Sequence, residues 1–136
     1  MKVQRGLAFG ALLMACCSPA GAVEMDSRLS GAWATSQADC QKLFVRSGGA
    51  LAYRQPVDKF AQAAIITPGA FAAPGGTCRV VSSSRTSALI KFELECKDTI
   101  SYTSQSVEIE IKSATEIVYR PNGDKTLDTA LTRCRL

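Results

Sequence analysis

Four cysteines, Cys40, Cys78, Cys96 and Cys134, are spread along the chain behind an apolar N-terminal segment, and no histidine accompanies them anywhere. Without histidine and without a C-x-x-C pair, the spacing lacks the ligand pattern of a structural zinc site. In an exported domain four cysteines read instead as two disulfides, with three possible pairings that spacing alone does not separate. Whatever fold the chain adopts must bring these distant positions together.

The N-terminal segment supports export. Lys2 and Arg5 precede an uncharged apolar run over residues 7–15 (LAFGALLMA), and small residues follow, ending in Ala20-Gly21-Ala22. This is the three-part pattern of a secretory signal peptide over residues 1–22. The run is far shorter than the roughly 20 apolar residues of a spanning helix. A second route is open, because Leu13-Met14-Ala15-Cys16 resembles the lipobox of bacterial lipoproteins. That resemblance implies acylation at Cys16 and an anchor in the membrane surface rather than a span across it.

Cleavage after Ala22 leaves residues 23–136 as one domain, large enough for a single core and small enough to profit from cross-links. Loss of Lys2 and Arg5 also reduces the formal charge from +4 to +2, and the remaining basic residues are scattered from Arg28 to Arg135. A nucleic-acid surface calls for a basic stripe with interleaved aromatics, so that class of partner is not expected.

Hydrophobic periodicity gives the fold class. Over residues 88–96, Ala88, Ile90, Phe92, Leu94 and Cys96 alternate with Leu89, Lys91, Glu93 and Glu95, the pattern of a half-buried strand. Cys78 and Val80 alternate with Arg79 and Val81 just before it, and the polar residues 82–87 (SSSRTS) read as the connecting loop. A hairpin centred on Ser87 sets Cys78 opposite Cys96. That favours Cys78–Cys96, and with it Cys40–Cys134. The latter closes a loop of about 95 residues, worth about 4 to 5 kcal/mol in the chain-entropy model.

Residues 101–112 and 117–120 read as further strands, the second running into the turn Pro121-Asn122-Gly123-Asp124. A last strand is expected over residues 130–136. Toward the N-terminus, residues 31–33, 50–53 and 63–66 read as short strands, and residues 72–76 (AAPGG) as loop. Ser36 with Asp39 three positions on supplies an N-cap signal, and Cys40, Leu43 and Phe44 follow at helical spacing. The expectation is a mainly β domain: a small antiparallel β-barrel or strongly curved sheet with one short N-terminal helix and two disulfides.

Gly31-Ala32-Trp33 resembles the G-x-W signature that opens the first strand of calycins, the lipocalin and avidin type of barrel. The resemblance implies that Trp33 plugs one end of a barrel and that a basic residue of the last strand, Arg133 or Arg135, packs across its face. The leader, the four cysteines and the small β-fold also look like bacterial periplasmic inhibitor-type proteins, in size, compartment and architecture alone.

The absence of histidine removes the commonest general base and every serine-histidine or cysteine-histidine nucleophile. The pairs Glu93 with Glu95 and Glu108 with Glu110 lie on polar strand faces and read as solvated charge rather than an acid/base dyad. Gly48-Gly49 and Gly75-Gly76 lack the continuation of a phosphate loop. No enzymatic activity and no cofactor are expected.

A periplasmic or secreted binding protein remains, an inhibitor or docking module for a protein partner in the envelope or host. Ser83, Ser84 and Arg85 are the candidate contact loop, and membrane association is expected only through acylated Cys16. The alternatives are a small-molecule carrier using the barrel interior and a structural envelope lipoprotein. A dry, side-chain-filled interior excludes the carrier; a pocket of some hundreds of Å³ lined by Phe and Leu favours it.

Overall fold

A computed structural model describes residues 25–136; the expected signal peptide 1–22 and the acylation site Cys16 lie outside the described residues. In chain order the elements are β1 (Gly31–Ala34), α1 (Gln37–Leu43), β2 (Phe44–Ser47), β3 (Ala50–Tyr53), β4 (Ala63–Thr67), β5 (Ala70–Ala73), β6 (Gly76–Thr86), β7 (Leu89–Lys97), β8 (Tyr102–Ile111), β9 (Glu116–Pro121) and β10 (Thr129–Arg133). Short 3-10 turns at Ser27–Leu29 and Lys125–Leu127 precede β1 and β10.

Eight strands close an antiparallel barrel in the order β1-β10-β9-β8-β7-β6-β5-β4, with β1 also paired to β4. Closure leaves no open sheet edge in the barrel. The alternation read from sequence sets the faces. Ile90, Phe92 and Leu94 of β7, Val107, Ile109 and Ile111 of β8, and Ile117 of β9 point inward and are buried with Trp33, Ile66, Phe71 and Leu131. Arg79, Lys91, Glu93, Glu95, Glu108 and Glu110 point outward. An apolar inside and a charged outside is the reverse of a barrel that spans a membrane, and among the described residues no helix is long and apolar enough to cross one.

Both expected disulfides are formed. Cys78 and Cys96 are direct cross-strand partners of β6 and β7 and are bonded, as are Cys40 and Cys134. The two bonds indicate an oxidising, extracellular-type environment. Cys40–Cys134 pins α1 to the end of the chain. The helix begins as expected, with the Ser36 hydroxyl accepting a hydrogen bond from the Asp39 amide.

A second core lies outside the barrel wall. α1 and the β2–β3 hairpin pack on the outer faces of β1, β4 and β5, where Ala32, Ala34, Ile65, Ala63 and Ala72 meet Cys40, Phe44, Leu43, Leu51 and Tyr53. Small alanine side chains let the second layer approach closely. Phe44 and Tyr53 stack with ring centroids 5.0 Å apart, and the Tyr53 hydroxyl donates to the Ala72 carbonyl at 2.7 Å.

Several boundaries differ from the sequence reading. Phe44 leaves the helix as its C-cap and opens β2, a strand not expected, and residues 70–73 form β5 where loop was expected from residue 72. Residues 82–86 are strand rather than loop. A bulge between Val80 and Ser82 advances the register by one residue, so β6 continues against β7 to a turn at Ser87-Ala88. The last strand is Thr129–Arg133; just beyond it the Cys134 amide still donates to the Ala32 carbonyl of β1 at 2.8 Å while its sulfur bonds Cys40.

Candidate functional site: the open end of the barrel

The two ends of the barrel are built differently. At one end the Ser27–Leu29 turn lies across the barrel, Leu29 is fully buried, and the Trp33 indole N–H donates to the Leu29 carbonyl at 2.8 Å. Arg133, not Arg135, covers Trp33, with its guanidinium carbon 4.5 Å from the ring centroid. The same guanidinium donates to the Ala114 carbonyl at 3.0 Å, to the Ser30 carbonyl at 2.6 Å, and to the Arg28 carbonyl. Gly31 makes this possible: its φ is +135°, and a Cβ there would stand 2.9 Å from an Arg133 nitrogen. One arginine thereby ties three chain segments over the tryptophan, and this end is closed.

The residues expected to form a contact loop also sit at the closed end. Arg85 is the next-to-last residue of β6; it donates to Asp26 at 2.7 Å and to the Ser87 carbonyl at 2.8 Å. Ser83 and Arg85 border a hollow of about 530 Å³ with Met25, Asp26, Ser27 and Ile90, while Ser84 points to the outer face. Asp26 also receives the Arg28 guanidinium at 2.7 Å. Hydrogen bonding from Arg28, and then from Arg85, holds the Asp26 carboxyl far below the usual range even against the opposing effect of burial.

The paired glutamates carry structural ion pairs. Glu93 meets Lys91 at 3.2 Å and Glu95 meets Arg79. Glu108 and Glu110 flank Arg120 at 3.3 and 3.8 Å. Arg120, only 7% exposed although outside the barrel, also donates to both oxygens of Asp128 at 2.6 and 2.8 Å. That fork holds the Asp128 carboxyl below its ordinary pKa. It also fixes the Lys125–Leu127 turn to β9.

The opposite end of the barrel is open. A cavity of about 780 Å³ enters between the ends of β1, β5, β7 and β9 and the beginnings of β4, β6, β8 and β10. Its floor is Phe71, Leu94 and Leu131, above the packed core, and Tyr119, Gln105 and Cys78 stand on its wall. The Gln105 amide lies against the sulfurs of the Cys78–Cys96 bond. Burial raises the pKa of the Tyr119 phenol, so at neutral pH it presents a neutral hydroxyl. Lys59, Gln62, Thr126 and Asp128 stand at the mouth. The volume and the mixture of an apolar floor with few polar groups match small-molecule sites in general.

The inward residues of β8 carried a sign of this cavity. Reading from its start, Thr103 and Gln105 precede Val107, Ile109 and Ile111, so the inner face turns from polar to apolar along one strand. Gly76 narrows the wall nearby, since a Cβ there would stand 2.7 Å from the Lys97 carbonyl oxygen. Among the described residues no group of His, Cys, Asp and Glu has the arrangement to hold a metal ion. No protein-family model, curated protein or solved structure matches the chain.

Proposed function

We propose that the chain is a periplasmic or secreted, non-enzymatic binding protein that takes a small, largely apolar molecule into the open end of its barrel. The observation that carries this is the cavity of about 780 Å³ floored by Phe71, Leu94 and Leu131. An apolar ligand part would rest on that floor, where burying apolar area contributes about 25 cal/mol per Å². Gln105 and the neutral Tyr119 hydroxyl would orient a polar substituent. The position of Trp33 beneath Arg133 supports a calycin-like reading, in which one end is plugged and the other receives the ligand.

The carrier reading is preferred to docking through residues 83–85, because Arg85 is already engaged by Asp26. Export by a cleaved signal peptide, or attachment through Cys16, fits a protein whose two disulfides require oxidation.

Titration with N-phenyl-1-naphthylamine, a neutral apolar dye, tests the proposal. Saturable one-to-one fluorescence enhancement is expected, and Ala73→Trp, at an exposed wall position of the mouth, should weaken it by filling the cavity. Absence of saturable binding, or binding indifferent to Ala73→Trp, would overturn the reading.

A further inference from the structure

The open end of the barrel does not finish at its own rim. Toward α1 the cavity runs into a second hollow of about 380 Å³, and Thr35, Ala61 and Gln62 line both spaces. One wall of the hollow is α1, with Asp39 and Lys42; the other is the segment that leaves β3, with Arg54 and Asp58. With only a methyl group at Ala61, the boundary between the two spaces is low.

The two spaces differ in chemistry. Among the described residues that line the barrel cavity, Lys59 and Asp128 alone are charged, both at its mouth, and Asp128 is held by the Arg120 fork. A strongly hydrated group entering the barrel would lose its water with little in return. The hollow is the opposite, lined by two cations and two anions.

Each of these four groups is anchored through part of its side chain. Asp39 accepts the Thr35 hydroxyl at 2.8 Å and the Ser36 hydroxyl at 2.6 Å, and stands 4.0 Å from Lys42. Arg54 donates from Nε to the Gln41 carbonyl at 2.9 Å, leaving its two terminal nitrogens for other acceptors. One Asp58 oxygen accepts the Phe60 amide at 3.0 Å, leaving the second for another donor. At the junction the Gln62 amide offers both donors and an acceptor. Donors and acceptors therefore stand together in the hollow with no net charge. A head of one charge sign would meet a like charge there, whereas hydroxyl groups accept from Lys42 and Arg54 and donate to Asp58 at once.

We propose that the ligand is an uncharged amphiphile, with its apolar part on the barrel floor and a polyhydroxyl head of single-sugar size in the hollow between α1 and residues 54–58. The inference rests on ligand binding at the open end, and adds what kind of molecule is held and which way round it lies.

Titration with n-octyl-β-D-glucoside below its micelle concentration, followed by NMR of the full chain, tests it. Octan-1-ol, octanoate, octyltrimethylammonium and octylphosphocholine share the chain and change the head. The glucoside should shift Leu94 and Leu131 together with Arg54 and Asp58, and octan-1-ol only the first two. It should bind roughly tenfold tighter than octan-1-ol, and tighter than the anionic, cationic and zwitterionic compounds. Asp58→Ala and Arg54→Ala should each weaken the glucoside roughly fivefold. Neither residue lines the barrel cavity, so both variants should keep the parent's affinity for N-phenyl-1-naphthylamine, which also reports an intact barrel.

Glucoside binding indifferent to both substitutions, equal affinity for octan-1-ol, or preference for a charged or zwitterionic head would overturn the inference while dye binding stands. Failure of dye and glucoside alike to shift the floor residues would overturn the cavity reading with it. Extraction of a monoglucosyl lipid from vesicles, in a further arm, would assign the same chemistry to a lipid; binding of the soluble glucoside alone would assign it to a free glycoside.

Discussion

Replacing Arg133 with alanine tests how the closed end is held. The guanidinium spans the Trp33 ring at 4.5 Å and donates to backbone carbonyls of Arg28, Ser30 and Ala114, which belong to the N-terminal turn, the entry to β1 and the β8–β9 connection. The stacking contact contributes about 1 kcal/mol. The three hydrogen bonds contribute about 1 kcal/mol each, because the site is half-exposed and water replaces part of what is lost. Arg133→Ala should therefore destabilise the fold by about 3 to 4 kcal/mol.

Arg133→Lys keeps the charge but cannot reach three carbonyls with one planar fork, and should lose about 2 kcal/mol. Arg135→Ala, which removes an exposed side chain, should change stability by less than about 0.5 kcal/mol. Urea unfolding with both disulfides intact, followed by Trp33 emission, measures all three, since Trp33 is the sole tryptophan and is fully buried. Equal midpoints and slopes for Arg133→Ala and Arg135→Ala would refute the reasoning.

Gly31→Ala should cost about 1 to 3 kcal/mol, because it combines a positive φ with a clash against Arg133; a matching drop in urea midpoint checks it. Asp26 has a folded-state pKa below its unfolded one, so its stabilising contribution is present above the ordinary carboxylate pKa of about 4. It is lost as the pH falls from there toward the depressed folded value. Asp26→Asn should flatten the acid limb of a stability-versus-pH curve, and a limb unchanged from the parent would contradict this. Of the two disulfides, removing Cys40–Cys134 (94 residues apart) should cost more than removing Cys78–Cys96 (18 apart), by about 1 to 2 kcal/mol in the chain-entropy model. Denaturation of the paired Cys→Ser variants gives the order.

What could be read from sequence follows how many faces a strand buries. β7 and β8 have one wet face, so their alternation was plain and carried the Cys78–Cys96 pairing with it. β1, β4 and β5 are covered inside by the barrel core and outside by α1 and the β2–β3 hairpin. Gly31–Ala34 and Ala63–Thr67 accordingly read as nearly continuous apolar runs with no period to assign.

The β-bulge after Val80 hid the end of β6, because one extra residue reverses which side chains face inward. Arg85 read as a free loop cation for that reason; its partner Asp26 lies 59 residues away. Apart from the polar-to-apolar change along β8, the cavity was out of reach for a related reason. Its walls come from one to three residues near the ends of each of seven strands and from the connections between them, and only the closed register brings Phe71, Gln105, Tyr119 and Leu131 around one space.

The most direct test of the central claim is backbone and side-chain NMR of the oxidised protein titrated with N-phenyl-1-naphthylamine. Ligand binding in the open end requires progressive shifts at Phe71, Leu94, Gln105, Tyr119 and Leu131, with Trp33 and Arg133 unmoved. Shifts confined to residues 83–85, or none at all, would contradict it.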